Sequence, residues 1–299
     1  MTSHILPRLA AVDGVMFDVD GCLVISDGPA GQGGTALPGA AELIDQVRAS
    51  GRAVCVFTNG TAQAPEDIAA HLRGLGLDVA DAEVLTPSVA AARALRERYG
   101  DQPVLAYGGD GVIPVLRDHG VNVIDPAEHA SGAATGAAAI LVGWDTEFTK
   151  PKLQFAAEAI LAGAALYCTS DAPAFASRDR LNVGVSGFIV AGLSHVTGQP
   201  WTVLGKPSPF ALETVCWALG TTPEHTLVLG DDVYLESGMA RRGGAVAGIV
   251  LTGITTPEKL ADTPASDMPD LVVASMTELA ALLADADGLR MPVSSGSER

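Results

Sequence analysis

Hydrophobic positions along the chain fall into two kinds of run. Residues 12–17, 53–57, 84–85, 227–229, 246–251 and 271–273 are short apolar segments without in-and-out alternation. That is the pattern of strands covered on both faces of a parallel sheet. Between them, 39–50 carries Leu43, Ile44 and Val47 at helical spacing, and 65–75 opens on Pro65, Glu66 and Asp67 before Ile68, Leu72 and Leu75. Proline and acids suit the first turn of a helix. Residues 207–219 and 277–284 follow the same pattern. Strands alternating with helices predict an α/β fold with a doubly wound, Rossmann-like parallel sheet.

The middle third has its own alternation. Residues 104–107, 121–124, 139–142 and 166–169 read as strands, and 110–119 and 150–162 as helices. Core-type segments resume afterwards. The reading is a core of residues 1–94 and 191–286 interrupted by a smaller α/β domain at 95–190, with 287–299 as a flexible polar tail.

Composition narrows the partners. Among 299 residues, 35 acids against 18 Lys and Arg leave a formal charge of −17. Lys150, Lys152, Lys206 and Lys259 are the only lysines. Nucleic-acid affinity comes from basic residues that displace counterions, so a nucleic-acid partner is not expected. A small anion remains possible where a local cation offsets the repelling field. The apolar stretches 137–143 and 156–167 are too short or too interrupted to span a bilayer, and residues 1–11 lack the basic and apolar regions of a signal peptide. Cys22, Cys55, Cys168 and Cys216 show no metal-type spacing. A cytoplasmic protein with four reduced, mostly buried thiols is the expectation, with no membrane partner.

The informative feature is where polar residues fall relative to the strands. One apolar run ends in Phe17-Asp18-Val19-Asp20-Gly21, a second in Phe57-Thr58-Asn59-Gly60 and a third in Leu229-Gly230-Asp231-Asp232, while Lys206 precedes a helix in Gly205-Lys206-Pro207-Ser208-Pro209. Taken singly, each is an ordinary turn, cap or solvated charge. Together they place Asp18, Asp20, Thr58, Asn59 and Asp231 at the carboxyl edge of one sheet, where open α/β sheets bind ligands. Converging carboxylates need a cation, and few protein oxygens with waters and a substrate phosphate is the magnesium pattern. A carboxylate can attack phosphorus, and a second acid can protonate the leaving group and then activate water. Metal, Lys206, Thr58 and Asn59 would meet the phosphoryl charge.

These four motifs, in this order, resemble those of the haloacid dehalogenase superfamily, and most closely its NagD-type phosphatases, a group that acts on nitrophenyl phosphate, phosphoglycolate, pyridoxal phosphate and nucleotide monophosphates. Leu37-Pro38-Gly39-Ala40 and Leu251-Thr252-Gly253 extend the likeness over nearly the whole chain. The resemblance implies that the insertion is an α/β cap that selects the substrate. It implies Asp18 as nucleophile and Mg2+ ligand, Asp20 as general acid/base with its backbone carbonyl on the metal, and Asp231 completing the metal site. Thr58 and Asn59 would hold the phosphoryl group, and Lys206 would bridge it to Asp18. The partner implied is a small phosphorylated metabolite, and caps in this group often pair, so a homodimer through the cap is expected.

Four departures from the pattern stand out. Cys22 replaces a more usual Thr or Val. A Gly-rich insertion at 27–36 lies beside the nucleophile loop, either as a longer mobile loop or as a change in access. The second acid of the last motif is Asp232 or Glu236, and either could support the metal. In the cap, Thr169-Ser170-Asp171 and Gly184-Val185-Ser186-Gly187 stand at substrate-facing positions, leaving the substrate open. Residues 107–111 read as a tight turn, and the histidines as mostly surface. The alternatives are a receiver-type phosphoacceptor module, or a phosphotransferase in which an alcohol replaces water.

Overall fold

A computed structural model of the chain describes residues 4–26, 29–128, 136–176 and 181–290. The expected tail lies, beyond residue 290, outside the described residues. In chain order the strands are β1 (Gly14–Phe17), β2 (Val24–Ile25), β3 (Thr35–Ala36), β4 (Ala53–Phe57), β5 (Val84–Leu85), β6 (Val104–Tyr107), β7 (Val123–Ile124), β8 (Ala139–Val142), β9 (Ala165–Cys168), β10 (Ala174–Ala176), β11 (Leu181–Val183), β12 (Trp201–Val203), β13 (Thr226–Gly230), β14 (Val246–Val250) and β15 (Leu271–Val273). The α-helices are α1 (Leu6–Ala10), α2 (Ala40–Ala49), α3 (Pro65–Gly74), α4 (Pro87–Tyr99), α5 (Ile113–Asp118), α6 (Lys150–Leu161), α7 (Val185–Thr197), α8 (Pro209–Leu219), α9 (Gly238–Gly243), α10 (Pro257–Ala261) and α11 (Met276–Asp287).

The core sheet runs β15-β14-β13-β1-β4-β5 with every neighbouring pair parallel. Numbered by appearance, this is the 3-2-1-4-5-6 order of a doubly wound sheet, whose direction of winding reverses between β1 and β13. Both faces are covered, which is why these strands carry no polar alternation. Val15, Phe17, Val54, Val56, Leu227 and Leu229 face one apolar layer, while Met16, Cys55, Phe57 and Val228 face the other. Phe17 lies in register with Val56 on one side and Leu229 on the other. The residues that follow β1, β4 and β13 therefore emerge side by side.

The second sheet, β12-β9-β8-β6-β7, is also parallel throughout. By appearance its order is 2-1-3-4-5, the other common doubly wound order, with its reversal between β6 and β8. Helix α4 joins the two layers, because Val89 and Ala90 pack in the core while Ala91, Ala92 and Leu95 pack under the second sheet. The expected boundary at 94/95 thus falls within α4. The one at 190/191 falls within α7, whose Ile189, Val190 and Leu193 pack with the smaller sheet. Strand β12 still pairs with β9, so the chain leaves the smaller sheet after Val203.

The 107–111 turn meets the core. Ser88 Oγ donates to Gly111 O at 2.6 Å, and a Cβ on Gly111 would stand 2.4 Å from Gln63 O. All four cysteines are buried and unpaired. No helix among the described residues is long and apolar enough to cross a membrane.

Candidate active site

Six residues singled out by the sequence, Asp18, Asp20, Thr58, Asn59, Lys206 and Asp231, line one cavity of about 450 Å³. It lies at the core's β1/β13 reversal and is roofed by the smaller sheet, which contributes Trp144 after β8 and Ser170 after β9. Both sheets therefore present carboxyl ends to the same space.

Asp18 continues β1, its N–H donating to Leu229 O at 2.9 Å. Gly21, in the turn that follows, has φ +81°, and a Cβ there would meet Asp231 Oδ2 at 2.3 Å. Only glycine lets this turn close onto the third strand's acid. Asp231 is held by the Ile254 N–H on Oδ2 at 2.7 Å. The 252–255 segment is tied back to the first turn where Thr252 Oγ1 donates to Gly21 O at 2.6 Å.

Lys206 is buried, and its Nζ donates to Asp18 Oδ1 at 2.5 Å, Glu236 Oε1 at 2.6 Å and Phe57 O at 3.0 Å. All three ammonium donors are thereby used. Its backbone is locked by Asn59, which accepts from Lys206 N and donates Nδ2–H to Lys206 O, each at 2.9 Å. The Asn59 side chain is therefore spent across 147 residues on placing the lysine. What Asn59 can still offer a phosphoryl group is its backbone N–H. Thr58 is buried, and its Oγ1 accepts from Gly60 N at 3.1 Å.

The two candidates for the second acid separate. Asp232 caps the helical turn at Val233–Ser237, its Oδ1 accepting from Tyr234 N at 2.8 Å. Glu236 is buried, with Oε1 on Lys206 and Oε2 accepting from Asp232 N at 3.1 Å. Asp20 is half-buried and turned toward the Gly-rich segment. Its carboxylate accepts from Ser26 Oγ at 2.7 Å and from the Ala30 and Gly31 N–H groups, each at 2.9 Å. Of that segment, residues 27 and 28 lie outside the described ones.

Comparison with known proteins agrees with this geometry. The sequence profile of the haloacid dehalogenase-like hydrolases matches residues 15–122, and a HAD-hydrolase-like profile matches residues 203–279. Human chronophin is 30% identical over 284 residues, which cover 90% of this chain and 94% of chronophin. The chain belongs to the haloacid dehalogenase-like hydrolases. A p-nitrophenyl phosphatase from Archaeoglobus fulgidus superposes with a TM-score of 0.76 at 26% identity, over 90% of this chain and 98% of that one. A glycerol phosphate phosphatase from Mycobacterium tuberculosis, solved in complex with magnesium, has the same fold, with a TM-score of 0.78 at 23% identity over 91% of this chain and 77% of its own. Within its family this hydrolase is a phosphomonoesterase, and the smaller sheet is its cap.

The hydrolase buries three carboxylates, Asp18, Asp231 and Glu236, around one ammonium group. Burial, reinforced by Asp18, pushes the Asp231 carboxyl up to about 7. Burial outweighs the attraction of Lys206 and pushes Glu236 up to about 8. Asp18 is raised as well, by burial, with Lys206 opposing. Burial works against the charge on Lys206, but Asp18 and Glu236 hold its proton above the ordinary lysine range. Cys22 is pushed well up, first by burial and then by the same carboxylates, so it stays a thiol. Among the described residues no group of three or more His, Cys, Asp or Glu side chains is arranged to hold a metal ion. Magnesium asks for less: one or two carboxylates, with waters and phosphate oxygens completing its shell. Asp18 and Asp231, hard oxygen donors with an excess of negative charge, fit that demand.

Of the cavity walls, the sequence pointed to Ser170, Asp171 and 184–186, and it missed Trp144, Tyr234 and Ile254. Applying the carboxyl-end rule to the second sheet as well would have found Trp144, which follows the 139–142 run. Tyr234 and Ile254 carry no such signal.

A pH dependence follows. Asp231 and Glu236 keep their protons to higher pH when folded than when unfolded. The folded state therefore binds more protons between about pH 4 and 8, and stability falls as pH rises through that window. Lys206, raised, adds stability that is constant there. In chelator-treated protein the thermal midpoint is expected to fall steadily from pH 5 to pH 8, as read by calorimetry. A rising midpoint over that range contradicts the burial of these acids.

Proposed function

We propose that this hydrolase dephosphorylates a small phosphate ester through an aspartyl-phosphate on Asp18, with magnesium held by Asp18, Asp231 and the Asp20 backbone carbonyl. The observation that carries the reading is the buried Lys206 Nζ on Asp18 Oδ1, inside a roofed cavity that Asp231 and Thr58 also line. Magnesium, when bound, supplies charge that offsets the carboxylates and the phosphoryl oxygens.

In the first step an Asp18 carboxylate oxygen attacks phosphorus and the ester P–O bond breaks. The leaving alkoxide takes its proton from Asp20. In the second, water gives a proton to Asp20 and attacks the same phosphorus, so that the bond to Asp18 breaks and inorganic phosphate leaves. The Thr58 hydroxyl and the Asn59 backbone N–H meet the phosphoryl oxygens, and Lys206, its three donors kept on Asp18, Glu236 and the Phe57 carbonyl, contributes its charge. The organic part of the ester faces Trp144, Pro173, Val185, Tyr234 and Ile254, a mainly apolar and aromatic wall.

A receiver-type phosphoacceptor would gain nothing from a second sheet roofing its site, which favours the hydrolase reading. Transfer to an alcohol would use the same first step and differ only in what attacks Asp18's phosphoryl group. Pairing of two copies through the cap belongs to the same proposal, supported by the exposed Val183 and Phe188, 63% and 76% accessible. A light-scattering mass of twice the 30.4 kDa chain is expected, and a single-chain mass removes the pairing.

Asp18→Asn is expected to lower turnover of 4-nitrophenyl phosphate at least about 1,000-fold. Asp20→Asn should cost about 100-fold on phenyl phosphate, whose leaving group needs a proton, and far less on 4-nitrophenyl phosphate. Steady-state rates on both esters check this. Equal losses from Asp20→Asn contradict its acid role, and an active Asp18→Asn contradicts the aspartyl intermediate.

A further inference from the structure

The Gly-rich segment beside the first motif has no part in the chemistry described so far, yet it touches the proposed general acid. The 29–31 turn supplies two donors to the Asp20 carboxylate, and Ser26 supplies a third. Gly31 N–H and Ser26 Oγ–H reach Oδ1, and Ala30 N–H reaches Oδ2. Donors on both oxygens fix the direction of the side chain as well as the plane of its carboxylate.

The turn adopts a backbone that needs support. Ala30 has φ 57° and ψ 38°, the only positive φ outside glycine among the described residues, and Gly31 has φ 81°. A left-handed alanine persists where its surroundings over-determine it. Ala30 is buried, and a Cβ built on Gly60, beside Thr58, would lie 3.3 Å from the Ala30 Cβ. From the other side His71, on α3, reaches Gly31 O through Nε2 at 2.7 Å. The carbonyl can only accept, so Nε2 carries the proton. Helix α3 thereby holds the carbonyl of the same residue whose N–H holds Asp20.

We propose that His71 is a positioning residue for Asp20. Acting through Gly31, it keeps the 29–31 turn in the shape that aims the carboxylate at the leaving-group oxygen, with Ser26 as the second support. General acid–base transfer needs the two heavy atoms within about 3 Å, and a base oriented by a third group is the usual means of achieving this. The inference rests on the acid role proposed for Asp20. It adds a role for a histidine outside the cavity and for an insertion that the sequence leaves unassigned.

The test is a series of substituted phenyl phosphates, from 4-nitrophenyl to 4-methylphenyl, assayed on the full-length protein with magnesium. The readout is how steeply kcat/KM falls as the leaving group becomes more basic. His71→Ala and Ser26→Ala are each expected to steepen that dependence, costing about 10-fold at the 4-methylphenyl end and under about 2-fold at the 4-nitrophenyl end. His71→Gln, whose amide can donate to Gly31 O, should restore the native slope. A purely structural role would lower all esters alike, so a uniform loss or an unchanged slope overturns the proposal. If His71→Ala does not fold, Ser26→Ala decides the matter by the same criterion. Asp20→Asn separates the two levels. An unchanged slope there overturns the acid role and the positioning with it. A steep slope there beside a native slope in His71→Ala and Ser26→Ala overturns the positioning alone.

Discussion

The site is organised by one buried ammonium group. Lys206 Nζ spans Asp18, Glu236 and the Phe57 carbonyl. It thereby links three segments that are far apart in sequence. Removing one partner from a buried, hydrogen-bonded ion pair costs about 3–5 kcal/mol, because the remaining charge is left unpaired. Loss of Lys206 would leave Asp18 and Glu236 buried without the group that bridges them. One positive charge still cannot neutralise Asp18, Asp231 and Glu236 together. Burial raises the carboxyls, their mutual repulsion adds to it, and the shortfall makes a cationic cofactor physically reasonable at this position.

Backbone geometry makes the convergence possible. In the 3-2-1-4-5-6 core, β1 and β13 are adjacent although more than two hundred residues separate them, so Asp18 and Asp231 leave neighbouring strand ends. The cap repeats the principle with its own parallel sheet and turns its carboxyl ends toward the same cavity. Two open crevices, each of which would face water alone, are closed against each other. Helix α4 and the Ser88–Gly111 contact fix how they meet. Asn59 adds a side chain that behaves like a piece of backbone, pairing with Lys206 as a strand neighbour would.

What the sequence revealed, and what it hid, follows from the range of each interaction. The core strands were legible because burial on both faces leaves continuous apolar runs. Asp18, Asp20, Thr58 and Asp231 were legible because they sit where those runs stop, and Lys206 because it is one of four lysines and precedes a helix. Helices α4 and α7 were not: α4 buries Pro87, Ser88, Val89, Ala90, Ala91 and Ala92 in succession, and its charged side begins only at Arg93. Because α7 went unread, the return to the core was placed inside it. That the Asn59 side chain pairs with Lys206 was not legible, because its motif says nothing about a partner 147 residues away. The choice between Asp232 and Glu236 turned on reach: Asp232 is short and caps its own turn, while Glu236 extends to Lys206. His71 carried no signal at all, as its contact is to a backbone carbonyl.

The central claim is that Asp18 and Asp231 form one cation-binding pair beside Lys206. Crystals soaked in manganese, a scatterer that stands in for magnesium, test it directly through the anomalous difference map. A single strong peak within coordination distance of both carboxylates, with Lys206 still on Asp18, is the predicted result. A map without a peak there at millimolar manganese, or with the metal bound elsewhere, would contradict the account.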